Sequence, residues 1–76
     1  MLTVEFTVEP FTEGSPGPHV QAAVDVAAEA GLLTEFGPFG TTIHGDEARV
    51  LDTVDALSRA AIANGATTVS LQIRRD

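Results

Sequence analysis

Seventy-six residues, a formal net charge of −7 and a pI near 4.4 weigh against phosphate-rich partners, because like charges repel nucleic acid and anionic membranes. A cationic or hydrogen-bonding small ligand suits such a chain better. With no cysteine, and with arginine supplying all four basic residues, thiolate nucleophiles, disulfide staples, Schiff bases and phosphate-loop lysines are excluded.

Leu2, Val4, Phe6 and Val8 alternate with Thr3, Glu5, Thr7 and Glu9, which predicts a strand with one apolar and one polar face. Pro10 ends it by removing a ladder donor. Such alternation is unlike a secretory leader. No apolar run nears the roughly 20 residues of a membrane helix, so the expected location is cytoplasmic, with no membrane partner. Phe11 to Gly17 reads as a Gly/Ser/Pro loop without the lysine and glycine spacing of a phosphate cradle.

A helix is predicted from about Pro18 to Ala30, with proline tolerated at its first position. Val20, Ala23, Val24 and Ala27 form its apolar stripe. His19, in the first turn, is expected to be solvated. Gly31 is placed to end the helix in the left-handed conformation. A second strand follows over Leu32–Phe36, its inward set being either Leu33 with Glu35, or Leu32 with Thr34 and Phe36. Gly37-Pro38-Phe39-Gly40 reverses or bulges the chain.

Gly40 to Gly45 reads as a third strand, with Thr41 and Ile43 on one face and Thr42 and His44 on the other. Asp46 is a good N-cap for a second helix, whose expected buried stripe is Val50, Leu51, Val54, Leu57 and Ala61. Asp55 and Arg59 can pair across one turn. Asn64-Gly65 closes this helix, and Val69, Leu71 and Ile73 alternate with Thr68, Ser70, Gln72 and Arg74 in a last strand.

The order β-α-β-β-α-β predicts one α+β domain over residues 1–76, the ferredoxin-like split βαβ arrangement. Right-handed crossovers put both helices on one face of a four-stranded antiparallel sheet, with the first strand between the third and fourth. The helices are expected to cover Leu2, Val4, Phe6, Val8, Ile43, Val69, Leu71 and Ile73. The other face would display Thr3, Glu5, Thr7, Glu9, Thr42, His44, Thr68, Ser70, Gln72 and Arg74. Short hydroxyl and amide side chains can be covered cheaply if hydrogen-bonded, so a ligand or another subunit is expected there. A chain this small buries only about 60% of its unfolded surface, which also favours assembly with further copies.

Three stretches, Leu2 to Pro10, Pro38-Phe39-Gly40-Thr41-Thr42-Ile43 and Ile73 to Asp76, resemble the small ferredoxin-like thiamine-binding family, long listed as of unknown function. The resemblance implies a homodimer or homotetramer built through sheets that binds thiamine or its hydroxymethylpyrimidine moiety, with no cofactor, metal or catalytic step. Ligand contacts then fall to Glu5, Thr7, Glu35, Phe39, Gly40, Thr41, Thr42 and His44. Members commonly carry glutamate where this chain has His44, and Glu5 or Glu35 can compensate. Stacking would come from Phe36 or Phe39.

Two other readings compete. One is an oligomeric regulatory subunit without thiamine binding, for example an amino-acid sensor. The other is an enzyme using His44 and Glu5 as acid and base. The second lacks a nucleophile, metal cluster or oxyanion device.

Overall fold

The computed structural model describes residues 1–10, 17–37 and 40–76. It contains β1 (Leu2–Glu9), α1 (Pro18–Glu29), β2 (Leu33–Gly37), β3 (Gly40–Gly45), α2 (Glu47–Ala63) and β4 (Thr68–Arg75). The sheet order is β2-β3-β1-β4 with every pairing antiparallel, so the ferredoxin-like α+β fold expected from the pattern is the fold adopted. Residues 11–16 of the loop expected at Phe11 to Gly17, together with Pro38 and Phe39, lie outside the described residues.

The register puts Val4 opposite Ile43 on one side and Ile73 on the other, and both helices lie over that face. Val4, Ile43, Val50 and Leu57 are wholly buried there, each contributing about 1.5–3 kcal/mol relative to exposure. Ala23 and Ala27 are also fully buried. Their small size lets α1 settle close against its neighbours. Gly31 adopts φ +71° and ends α1 as the spacing predicts. At α2, the Asp46 side chain accepts the Arg49 backbone N–H at 3.1 Å, removing one of the orphan donors of the first turn.

β2 takes the second of its two possible settings. Leu32 is buried, Thr34 and Phe36 lie on the helix side opposite Ile43 and Thr41, and Leu33 and Glu35 face away.

Three expectations are corrected. His19 is buried rather than solvated, because its Nε2 hydrogen-bonds the Pro10 carbonyl at the end of β1. Leu51 is 44% exposed and Thr53 takes the inward place. At about 100° per residue Leu51 lies well off the arc through Val50, Leu57 and Ala61, and the Thr53 hydroxyl is satisfied by the Arg49 carbonyl at 2.6 Å. Leu71 and Ile73 face the helix side but stay 38% and 45% exposed, because β4 is an edge strand at the margin of the two-helix cover.

Candidate functional site

The open face is built as rows of cross-strand neighbours, since directly paired residues point to the same side of a sheet. One row runs Leu33, His44, Thr3, Arg74, and the next runs Glu35, Thr42, Glu5, Gln72. A third holds Gly37 opposite Gly40 and Thr7 opposite Ser70. Two glycines on the β2–β3 side lower the surface there, whereas the β1 and β4 side chains stand up from it. The result is a depression of about 370 Å³ lined by Glu5, Thr7, Gly37, Gly40, Ser70 and Gln72. That volume falls within the range of small-molecule sites.

Gly40 is required for a steric reason. A Cβ at that position would lie 2.9 Å from the Phe6 carbonyl oxygen and 3.0 Å from Thr7 Cγ2, so β3 can approach β1 there only without a side chain. The depression offers one carboxylate (Glu5), two hydroxyls (Thr7 and Ser70) and one carboxamide (Gln72), a set that accepts and donates hydrogen bonds over a few ångströms.

A second polar group occupies the far corner. The Thr3 hydroxyl donates to Asp76 Oδ2 at 2.8 Å and lies 3.0 Å from His44 Nδ1. The other imidazole nitrogen, Nε2, stands 3.9 Å from Glu35 Oε1. Thr3 is buried, His44 half-buried and Glu35 exposed.

Of the residues singled out from the sequence, Glu5, Thr7 and Gly40 meet in the depression. Thr42 lies between Glu5 and Glu35 in the middle row, and Glu35 and His44 form the corner group. Thr41 pairs with Phe6 and Phe36 and so faces the helix side, away from the others. Phe39 lies outside the described residues. Phe36 is exposed on the helix side, so it offers no stacking surface to the open face.

Ser70 and Gln72 complete the depression, although neither stood out as a ligand contact. Their signal was the alternation of the last strand together with its place beside β1. In the sequence Gly37 is part of a Gly/Pro reversal signal and nothing more, and the Thr3–Asp76 contact spans 73 residues with no local sign. Among the described residues, no three histidine, aspartate or glutamate side chains converge as a metal site would require, and no helix is long and apolar enough to cross a membrane.

Comparison with known proteins agrees with the fold. A domain of unknown function from Bacillus cereus is 27% identical, with 99% of this chain matching 75% of that one at a TM-score of 0.76. A candidate thiamine biosynthesis/salvage protein from Thermotoga maritima is 28% identical over 96% of this chain and 78% of that one, TM-score 0.70. A hypothetical protein from Methanocaldococcus jannascii, 22% identical over 99% of this chain and 77% of its own with a TM-score of 0.66, shares the fold. No curated protein matches. The model of the family described as "Thiamine-binding protein" matches residues 4–76, all but the first three residues, and the chain belongs to that family.

Proposed function

We propose that this protein is a non-catalytic binding module for thiamine or its hydroxymethylpyrimidine moiety, held on the open face of the sheet. The observation that carries the reading is the depression lined by Glu5, Thr7, Ser70 and Gln72. Thiamine joins a cationic thiazolium to an aminopyrimidine. Glu5 complements the cation, and the Gln72 carboxamide can both give to and accept from the pyrimidine edge. Thr42 and Glu35 extend the acceptor surface towards His44. Family membership and the similarity to the Thermotoga maritima protein support the ligand class.

Thermal unfolding with thiamine, its phosphates and its pyrimidine half tests the proposal. A ligand at a hundred times its Kd stabilises by about 2.7 kcal/mol, which in a domain this size raises Tm by roughly 10–20 °C. No shift with any of them at millimolar concentration would sink it.

A second reading is favoured by exposed apolar side chains: Leu33 on the open face, and Leu71 and Ile73 along β4. Leucine and isoleucine in those places fit a homodimer or homotetramer built through the sheet, serving binding or serving regulation without thiamine. Native mass spectrometry separates these cases. An oligomer that no ligand stabilises supports the regulatory form, and a monomer at micromolar concentration removes the assembly.

A further inference from the structure

Proton counting at the corner group leads to a result beyond the cavity. A threonine hydroxyl has a single proton, and here it goes to Asp76 Oδ2. The 3.0 Å contact between Thr3 Oγ1 and His44 Nδ1 then needs its proton from the ring, so Nδ1 carries hydrogen in the neutral imidazole and in the imidazolium alike. In the neutral ring Nε2 is left as the nitrogen that presents a lone pair.

Facing it at 3.9 Å is Glu35 Oε1, too far for a direct hydrogen bond. Neutral imidazole and carboxylate thus turn two acceptors towards each other, and among the described residues no donor is hydrogen-bonded to Nε2 or to that carboxylate. Among the described residues the other polar neighbours do not supply one, and Thr42, across from Glu35, makes no hydrogen bond to either group. Asp76 is engaged by Thr3, Glu5 stands in the next row opposite Thr42 and Gln72, and Arg74 lies across Thr3 on β4.

We propose that Thr3 and Asp76 are positioning residues that hold His44 as its Nδ1–H tautomer, so that Nε2 and the Glu35 carboxylate together accept the amino group of a ligand on the open face. An amino group bridging two acceptors sets them about 4.7–5.0 Å apart, and the exposed Glu35 side chain reaches that spacing by swinging outward about 1 Å. The tautomer assignment is independent of the ligand. The amino-group contact rests on the binding function proposed above.

The test is long-range 1H–15N NMR of the His44 ring in the full chain. Two probes are used: 4-amino-5-hydroxymethyl-2-methylpyrimidine and its 4-oxo analogue, which lacks the amino group. Backbone amides of Ser70 and Gln72 report cavity binding in the same samples. Free protein should show a protonated Nδ1 and an unprotonated Nε2. Thr3→Val and Asp76→Asn should shift the ring towards the Nε2–H form, while circular dichroism stays native.

The amino probe should displace the Nε2 resonance and bind about tenfold more tightly than the oxo analogue, the cost of one unmatched polar pair. In Thr3→Val that preference should disappear, whereas a merely structural threonine would lower stability and leave tautomer and preference unchanged. An Nε2–H tautomer in the native protein, or one indifferent to Thr3→Val, overturns the positioning role. Equal binding of both probes at the cavity, with His44 silent, overturns the amino contact and leaves the binding function standing. No response at the cavity or at His44 overturns the amino contact and the binding function together.

Discussion

Replacing Gly40 with alanine tests the packing that makes the depression. The added Cβ would sit 2.9 Å from the Phe6 carbonyl oxygen and 3.0 Å from Thr7 Cγ2, and the nearer obstacle is backbone that cannot rotate aside. Alanine removes unfolded-state freedom and gains about 0.4–1 kcal/mol on that account. Forcing β1 and β3 apart by a few tenths of an ångström is overpacking, which typically costs about 1–3 kcal/mol. Central values leave a net loss of about 1.3 kcal/mol, or a Tm lower by roughly 5–10 °C for a domain of this size.

Gly37→Ala is the internal control. Among the described residues its Cβ would meet only the Gly40 carbonyl oxygen, at 3.2 Å, so its Tm should fall by less. Differential scanning calorimetry gives both values, and hydrogen exchange should show lost protection in the β1–β3 ladder of the Gly40 variant alone. Thiamine affinity should fall as well, because Gly40 lines the depression. A Gly40→Ala protein with unchanged Tm and unchanged affinity would refute the claim that this close approach shapes the site.

Leu57→Ala should cost about 2–5 kcal/mol by urea titration, enough to leave a small domain barely folded. A loss below about 1 kcal/mol would show that the space under α2 collapses freely. Asp46→Ala should lose about 1 kcal/mol with the cap to Arg49, and Asp46→Asn should restore most of it. Equal losses in the two would move the effect from the hydrogen bond to the charge. Glu5→Gln keeps the shape of the depression and removes its carboxylate. Calorimetric titration should show thiamine bound roughly five- to tenfold more weakly, with less dependence on salt and an unaltered Tm without ligand. Full affinity in that variant would place the cation elsewhere.

Much of this was legible in the chain. Period-two alternation in Leu2 to Glu9 and in Thr68 to Arg74 marks one-sided strands, because successive side chains must leave a pleated backbone on opposite faces. Pro18, Gly31, Asp46 and Gly65 bound the helices, since each meets a backbone demand that few residues meet. The order of these elements, with the handedness of crossovers, then leads to the ferredoxin-like sheet.

Local pattern could not say how far a helix reaches over a sheet. Leu71 and Ile73 carry the same apolar signal as Val4 and Phe6, yet their place on an edge strand leaves them part-exposed. Leu51 lies outward and Thr53 inward because burial follows angle around α2, and a hydroxyl that back-bonds to Arg49 can sit inward where hydropathy alone would refuse it.

For the site, the sequence by itself determined which residue types line the polar face and that Glu5 belongs to it. Which of them converge was decided only by register: Gln72 and Ser70 come beside Glu5 and Thr7, Thr41 turns away, and Asp76 reaches Thr3 at the other end of the chain. Those juxtapositions depend on contacts between residues far apart in sequence, which the hydrogen-bond ladder sets and no local window contains.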